Sequence, residues 1–369
     1  MRHPRSPLTS GPLTSVRVVE VAGLGPLTFT AMLLADMGAD VVRVVRPGHV
    51  EMEKGATLRG RRQIELDLRS DEGRQSLQSL ASASDVLLEG FRPGVMERLQ
   101  LGPDQLMPLN DSLVYGRMTG WGQTGPRSAQ AGHDINYIAI SGALHAIGDS
   151  EPAVPLNLVG DYGAGALYLA MGVLAAVVHA RESGTGQMVD CAICDGTVSL
   201  LSLMHGLRHV GRWRDERRSN TIDGAAPFYR TYRCKDGKAV AVGAIEPQFY
   251  KLLLERLQLE ESPLFSNQHD RSRWNQQSAA LEQLFKTRDR DEWAAIFADS
   301  DACLAPVNSL DESVKDEHLL ARQAFSSMAG EIQPSPAPRF SVSPSQPRAT
   351  TTVGRVEDIL SIWQIAGNA

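Results

Sequence analysis

Val16-Arg-Val-Val-Glu-Val21, continued by Ala22-Gly23-Leu24-Gly25-Pro26, is the segment from which the architecture of this chain can best be predicted. Its opening residues are typical of a buried strand, and the glycines that follow favour a tight turn. An apolar helix pattern then covers residues 28–38, and Val41–Val45 is a second strand pattern. A strand, a helix and another strand in this order predict a right-handed crossover between parallel strands.

The alternation of strand and helix patterns continues along the chain. Further patterns cover residues 63–68, 70–83, 85–89 and 112–118, with a short helix near Met96. Such an alternation is typical of a doubly wound, Rossmann-like α/β domain. Later in the chain, two strand patterns flank an Asp-Gly turn and helix patterns follow, which predicts a smaller α+β domain.

The sequence therefore predicts a chain of two domains with connecting segments. Residues 1–14 are expected to form a loose N-terminal tail, and residues 15–210 a large α/β domain that binds a phosphate-rich ligand. Residues 211–225 are basic and polar, which indicates a linker, and residues 226–318 make the small α+β domain. Residues 319–369 are expected to return as an extended strap and a C-terminal helix that packs on the large domain.

The composition excludes several classes of function. A net charge of −6 argues against a general nucleic-acid binder, and the four cysteines are too few for a disulfide framework in 369 residues. No metal-binding spacing stands out, so we expect no metal and no separate cofactor. The apolar run at residues 164–180 is better explained as a buried helix than as a membrane span. Without a signal peptide or a peroxisomal C-terminus, a cytoplasmic location is expected.

The turn after the first strand is a weak dinucleotide fingerprint. Gly23-x-Gly25 matches its opening, but Thr28 stands where a third glycine would be expected. The second strand ends in Arg46, where an NAD-binding domain would place an acidic residue. This basic end favours a nucleotide that carries an additional phosphate over NAD.

Arginines recur in the loops that join the predicted strands. Arg46 is followed by the Arg59-Gly-Arg61-Arg62 cluster and by Arg92, which lies beside Gly90. Ligands of doubly wound sheets bind beyond the carboxyl ends of the strands, where these loops are expected. Solvated arginines are common in loops, so the pattern alone leaves phosphate binding and ordinary surface charge equally open.

Residues 131–161 hold the candidate proton carriers. His133 precedes an apolar helix pattern, and Asp161 follows Pro155-Leu-Asn157 near a second helix start. An imidazole and a carboxylate are the side chains that most often transfer protons near neutral pH. Either could instead be an ordinary helix cap, as could Glu246, which stands before Pro247.

Several strings of residues resemble the family III CoA-transferases and, within them, the alpha-methylacyl-CoA racemases. The resemblance covers residues 15 to about 325 and is strongest in the strings MTGWGQTGP at 118–126, AGHDINY at 131–137, PLNLVGD at 155–161, DGAAPFY at 223–229 and VGAIEPQFY at 242–250. It implies an interlocked homodimer in which each site lies between the large domain of one subunit and the small domain of the other. It also implies an acyl-CoA substrate and a place in fatty acid metabolism.

The resemblance also assigns roles to individual residues. His133 and Asp161 would be the acid and base that move a proton at C2 of a 2-methylacyl-CoA, and Glu246 would orient His133. The backbone N–H of Asp134 is our candidate donor to the enolate oxygen. Further candidates at the substrate are Tyr137, Asn157 and Tyr229, and those at CoA are Arg46, Arg59, Arg62, Gly90 and Arg92.

Two alternative functions remain open at this point. CoA transfer between carboxylic acids would use Asp134 as a nucleophile that forms an acyl anhydride. A protein that only binds CoA would not need the acid and base residues, which are all present here. The first alternative requires an acceptor acid, whereas racemisation requires only exchange of a proton at C2.

Overall fold

A computed structural model describes residues 9–23, 25–50 and 55–365 of the chain. The described residues divide into two compact units. The large unit comprises the described residues up to Ser141, Pro155–Leu201, and the described residues from Ala321 onward. The small unit comprises Gly142–Val154 and Ser202–Leu320. The division differs from the sequence-based boundaries because residues 142–154 and 202–225 cluster with the small unit.

A seven-stranded sheet with entirely parallel pairing forms the centre of the large unit. Its strands are β1 (Arg17–Val21), β2 (Asp40–Val45), β3 (Arg61–Glu65), β4 (Val86–Glu89), β5 (Val114–Thr119), β6 (Met188–Ala192) and, from the C-terminal segment, β12 (Thr351–Thr352). The order is β12-β3-β2-β1-β4-β5-β6, so the first six strands follow the Rossmann order 3-2-1-4-5-6. The predicted doubly wound architecture is confirmed.

The other elements have the following bounds. The remaining strands are β7 (Tyr229–Arg233), β8 (Ala239–Gly243), β9 (Leu304–Pro306), β10 (Phe325–Met328) and β11 (Glu331–Pro334). The α-helices are α1 (Pro26–Asp36), α2 (Asp71–Ser82), α3 (Val95–Arg98), α4 (Pro103–Leu106), α5 (Asp134–Ser141), α6 (Ala143–Ala146), α7 (Leu167–Ser183), α8 (Ile193–Leu200), α9 (Ser202–His209), α10 (Pro247–Leu257), α11 (Trp274–Phe285), α12 (Arg290–Phe297), α13 (Leu310–Ser313), α14 (Glu317–Ala321) and α15 (Val356–Ile365). A π-helix covers Leu158–Ala166, and short 3₁₀-helices cover Gly55–Leu58, Met107–Leu109 and Pro263–Phe265.

The central strands of the large sheet are buried on both faces, as their apolar residues predict. Strands β1 and β2 are buried along their whole length, which suits the central positions of a parallel sheet. Helix α7 packs on one face, where Gly116 of β5 lets it approach closely. A Cβ atom added to Gly116 would lie 3.1 Å from Val173 and 2.8 Å from Leu88. This packing fixes the sheet whose carboxyl edge carries the candidate site.

Buried ion pairs join the strands and helices of the large unit. Arg59 makes a two-pronged pair with Asp36, at 2.8 Å and 2.5 Å, and its side chain is 3% exposed. Arg62 pairs with Asp40 in the same way, at 3.0 Å and 2.8 Å. A guanidinium group that is buried and already paired is poorly placed to bind a phosphate. The contact of Arg59 and Arg62 with CoA therefore stays a prediction, and these ion pairs weigh against it.

The C-terminal segment joins the large unit after Leu320. It contains the β10–β11 hairpin, which the sequence-based strap did not predict, and β12, which extends the sheet beside β3. In helix α15, Trp363 is buried and its indole N–H donates to Asp40 at 3.0 Å. At the other end of the chain, the Leu13 N–H donates to the Met37 carbonyl, so this part of the predicted N-terminal tail packs on the large unit. Residues 1–8 lie outside the described residues.

The small unit has its own core and an antiparallel sheet of order β7-β8-β9. The predicted hairpin is confirmed, because β7 pairs with β8 and Gly237 in the turn has a φ of 81°. Aromatic side chains fill the core, with Phe285 stacked on Tyr232 at 4.9 Å and in edge contact with Trp293 at 5.1 Å. This aromatic core explains why the unit is compact despite its small sheet.

The continuous helical segment Leu158–Ser183 is long and apolar enough to cross a membrane by length and composition. Half of its most apolar window is buried within the described structure. A helix that packs on the central sheet of a globular domain meets the same criteria, so the segment carries little weight as evidence for a membrane span.

Candidate active site

The candidate site lies on the large unit, beside the turn between β1 and α1. Gly25 caps α1 with a φ of 62°, a conformation that glycine adopts without strain. A Cβ atom added there would lie 3.6 Å from Asp161 Oδ2, so the carboxylate stands next to this turn. The turn follows the carboxyl end of β1, which borders β4 where the strand order reverses. Doubly wound sheets bind ligands at this position.

His133 is held through its backbone at the start of helix α5. Its N–H donates to Asn136 Oδ1 at 3.0 Å, and its carbonyl accepts from the Asn136 N–H at 2.8 Å. Tyr137, buried in edge contact with Trp121 at 4.7 Å, donates its hydroxyl hydrogen to the Gly132 carbonyl. These contacts fix the backbone on both sides of His133 while the residue itself stays exposed.

Asp161 lies in the π-helix that precedes α7. The wider turn of a π-helix changes the direction of the side chains that follow it, and such segments often lie at functional sites. Leu156, before this segment, has a φ of 58°, which is strained for a residue other than glycine. The Asp161 N–H donates to Asp134 Oδ1 at 2.7 Å, which ties the π-helix to the start of α5. Asp161 is thus linked to His133 through Asp134, the residue that follows His133 in the chain.

The environment of Asp161 raises its pKa from 3.8 to about 6. Burial is the largest cause, because it penalises the charged carboxylate, and the nearby Asp134 carboxylate adds repulsion. A hydrogen bond from the Asn157 side chain and the field of His133 act in the opposite direction. A carboxyl group with a pKa near 6 can both accept and donate a proton close to neutral pH.

Asp134 contributes a buried carboxylate and a free helix start. Its side chain is 8% exposed, and Oδ1 accepts the Asp161 N–H. Among the described residues, none donates a hydrogen bond to Oδ2. The Asp134 N–H belongs to the first turn of α5, whose amides have no acceptor within the helix. Amides at a helix start favour an anion placed there.

Tyr137 and Arg92 extend this group of residues. Burial raises the pKa of the Tyr137 phenol, and Asp161 adds to the rise, whereas Arg92 lowers the pKa. The Arg92 side chain therefore lies near enough to influence the same cluster. Arg92 and Arg46 are both exposed and follow β4 and β2. Gly90 contacts Leu27, since an added Cβ atom would lie 3.4 Å from it.

Glu246 and Tyr229 belong to the small unit. Glu246 is exposed at the N-cap of α10, and within the described structure its side chain makes no capping hydrogen bond. The capping role considered for it is therefore absent. Tyr229 borders an open groove of about 580 Å³ whose lining includes Ala241, Gly243 and Leu304. The small and apolar side chains of this groove suit a hydrocarbon ligand.

Other reactive groups near the site have no evident catalytic role. Cys191 is buried with its thiol directed at the Gly165 carbonyl at 3.4 Å, and burial raises its pKa to about 12. Burial also raises the pKa of Cys194 to about 11, so neither thiol is ionised near neutral pH. In the parts of the chain that the structure describes, no group of three or more metal-ligating side chains could hold a metal ion.

Sequence reasoning missed two features of this site. Asn136 fixes His133, and a signal was present because it stands three residues after the helix cap, the spacing of a capping box. The π-helix around Asp161 had no comparable signal, since its apolar pattern is the same as that of an α-helix. Together the residues form a carbon-acid site, with a carboxyl that titrates near neutral pH, an exposed imidazole and a helix-start amide.

Comparison with known proteins identifies the family of this chain. Residues 13–354 match CoA-transferase family III. The alpha-methylacyl-CoA racemases of Mus musculus and Homo sapiens are each 43% identical to this chain, over 91% of its length and 88% of theirs. A crystal structure of a CAIB/BAIF family protein from Brucella suis has the same fold, with a TM-score of 0.80, 24% identity, and coverage of 97% of this chain and 100% of that one. The chain therefore belongs to CoA-transferase family III.

Proposed function

We propose that this protein is an alpha-methylacyl-CoA racemase that interconverts the (2R) and (2S) forms of 2-methylacyl-CoA thioesters. The observation that carries the proposal is the Asp161 carboxyl with its pKa raised to about 6, tied through Asp134 to the backbone beside His133. The 43% identity to two proteins of this name supports the same conclusion. The reaction needs no redox step, because the proton removed from C2 and the proton returned to it are equivalent.

The proposed mechanism uses one residue on each face of C2. The ionised Asp161 removes the proton from one epimer, and the thioester becomes an enolate. The protonated His133 then delivers a proton to the opposite face, and the two residues exchange roles for the other epimer. Positioned acid and base groups contribute about 10²–10⁴-fold to the rate. The Asp134 N–H stabilises the enolate oxygen, and one such donor is worth about 3–4 kcal/mol.

We propose that Arg46 and Arg92 bind the phosphates of CoA. Both are exposed and follow strands at the carboxyl edge of the sheet, and Arg92 acts electrostatically on Tyr137 in the site. Gly90 supports close approach of the ligand to the loop after β4. We do not assign this role to Arg59 and Arg62, because both are buried as well as paired with Asp36 and Asp40.

We also propose that two copies of the chain associate, and that Glu246 of the partner subunit accepts a hydrogen bond from His133. Large apolar side chains on α7 support the pairing, since Leu167, Met171 and Val178 are 51–60% exposed along one face. The Glu246 carboxylate makes no capping hydrogen bond to α10, which supports its proposed hydrogen bond with His133. Burying such a face against a second copy would remove apolar area from water. We further propose that the protein acts in the cytoplasm, without membrane attachment, in fatty acid metabolism.

One experiment tests the proposed reaction. The purified protein is incubated in deuterium oxide with a single C2 epimer of a 2-methylacyl-CoA, and both epimer ratio and label uptake are followed. Racemisation with deuterium at C2, without any added acid, is the expected result. A protein that binds the thioester but exchanges no label would be a CoA-binding protein and not this enzyme.

CoA transfer is the second candidate function, and its support is the family itself together with Asp134. The Asp134 Oδ2 atom is buried without a hydrogen-bond donor among the described residues, which leaves it free to react. Its burial and the fixed position of Oδ1 disfavour attack on a thioester. Formation of a new thioester only when an acceptor acid is added would favour this candidate over racemisation.

A further inference from the structure

A polar cavity of about 460 Å³ lies within the small unit. Residues from four segments line it: the 142–154 segment, the loop that precedes β7, β7 itself, and residues 271–275 at the start of α11. The lining residues are Asp149, Arg214, Glu216, Arg218, Ser219, Ala225, Arg230, Arg271, Trp274 and Asn275. The volume is in the range of small-molecule sites.

The lining of the cavity is positively charged. Four arginines face two acidic residues, Asp149 and Glu216, which leaves a formal charge of +2. Arg218 pairs with Asp149, and Arg230 pairs at 3.2 Å with Glu282, which lies outside the lining. A guanidinium group has five N–H donors, so one carboxylate partner leaves donors available for a second anion. The positive charge also acts on Asp149, because Arg218 and, to a smaller extent, Arg230 lower the pKa of its carboxyl.

The arginines are held on a loop that is ordered by its own hydrogen bonds. The Asp223 carboxylate accepts the backbone N–H groups of Ser219 and Asn220 at 3.0 Å. Asn220 is 2% exposed, and its amide donates to the Arg214 carbonyl at 2.9 Å. The segment predicted to be a linker therefore contains a hydrogen-bonded loop, and these bonds hold the backbone that carries the arginines. Such preorganisation lowers the entropic cost of binding a ligand.

Arg271, just before α11, is held by two contacts. Its guanidinium lies 5.4 Å from the centre of the Trp274 ring and donates to the Ser219 carbonyl at 3.3 Å. Trp274 is itself buried in the core of the small unit. Stacking orients the guanidinium plane without neutralising its charge, which is how arginines are commonly presented to phosphates.

We propose that this cavity is a binding site for a phosphate-bearing anion with at least two negative charges, such as a pyrophosphate group. The proposal is independent of the racemase reaction, since Arg46 and Arg92, which we assign to the phosphates of the substrate, belong to the other unit. The anion has two potential sources. One source is a free phosphate compound, such as pyrophosphate or a nucleoside diphosphate. The other is the 3′-phospho-ADP portion of a second CoA molecule.

Equilibrium binding to the full-length protein tests this proposal. Calorimetric titrations use pyrophosphate, ADP and adenosine 3′,5′-bisphosphate in turn. The cavity variant is Arg214→Gln with Arg271→Gln, and both positions are exposed. The matched control is Lys251→Gln with Arg256→Gln, which removes the same charge from the same unit outside the cavity lining. A second control, Arg46→Gln with Arg92→Gln, disables the proposed CoA contacts.

The expected result is saturable binding by the wild type and by both controls, weakened at least about tenfold in the cavity variant. If the double variant does not fold, Arg214→Glu alone is expected to give the same loss. The source is read from the Arg46→Gln with Arg92→Gln variant, in which the proposed CoA site is disabled. Preference of that variant for adenosine 3′,5′-bisphosphate would identify CoA as the source. Preference for pyrophosphate or ADP would identify a free phosphate compound. Equal binding by the cavity variant, absence of saturable binding, or loss only in the Arg46 and Arg92 variant would overturn the proposal.

Discussion

Replacing Asp161 by asparagine should make the protein more stable while it abolishes racemisation. The fold raises the pKa of this carboxyl from 3.8 to about 6, mainly because burial and then Asp134 oppose its charge. A group whose folded pKa is raised in this way binds its proton more tightly in the folded state. Stability is therefore lost as pH rises through the interval between 3.8 and about 6. Asparagine removes the charge and with it this cost.

The magnitude follows from the size of the shift. A shift of about two pH units corresponds to about 3 kcal/mol above pH 7, at 1.36 kcal/mol per unit. Asp161 is only half-buried, so solvent screening reduces the gain to about 1–2 kcal/mol. About half of this destabilisation by Asp161 is already present at pH 5, because the carboxyl is ionised in the unfolded chain at that pH. The advantage of Asp161→Asn should thus grow by about 0.5–1 kcal/mol between pH 5 and pH 7 and then stay constant.

Urea unfolding of both proteins at pH 5, 6, 7 and 8 measures this difference directly. Asn136→Ala serves as a control, because it removes a site hydrogen bond without changing a titratable group. An advantage that is absent at pH 7, or that shrinks from pH 5 to pH 7, would refute the argument that Asp161 carries an unfavourable charge.

Three further predictions concern the pH profile, CoA binding and the buried ion pairs. The value of kcat/KM should fall about tenfold per pH unit below pH 6, equally for the (2R) and the (2S) substrate. The reason is that the active pair of His133 and Asp161 holds one proton, and Asp161 takes up a second at low pH. A value of kcat/KM that is constant down to pH 5 would contradict this. Arg46→Gln with Arg92→Gln should raise KM for the acyl-CoA at least about tenfold with little change in kcat, measured with steady-state racemisation, and an unchanged KM would exclude both residues from CoA binding. Arg62→Gln should instead lower the unfolding free energy by about 3–5 kcal/mol and leave KM unchanged, because the buried carboxylate of Asp40 loses its ion-pair partner. A raised KM in the folded variant would indicate that Arg62 does contact CoA.

The sequence predicted the architecture because its signals were local. Parallel strands buried on both faces need continuous apolar residues, and those in β1 and β2 are visible without any structure. The Asp-Gly turn before β8 likewise specifies a hairpin by its own conformational preference. His133 and Asp161 were identified as candidates through a resemblance and through their chemistry, and the structure adds their surroundings.

The surroundings of other charged residues could not be predicted, because partners distant in sequence decide them. Arg59 and Arg62 looked like solvated loop arginines, but Asp36 and Asp40 lie 22–23 residues away and engage them in the fold. The loop before β7 has the composition of a linker, and its ordering depends on two side chains, Asn220 and Asp223. A composition rule cannot distinguish a basic linker from a basic loop that is closed by its own hydrogen bonds.

The central claim is that two different residues serve the two faces of C2, and label exchange in deuterium oxide tests it most directly. Each pure epimer is incubated separately with Asp161→Asn and with His133→Ala, and deuterium at C2 is measured by mass spectrometry. The account predicts that neither variant racemises, that each still exchanges one epimer without inversion, and that the two variants exchange opposite epimers. Normal racemisation by either variant, or exchange of the same epimer by both, would contradict it.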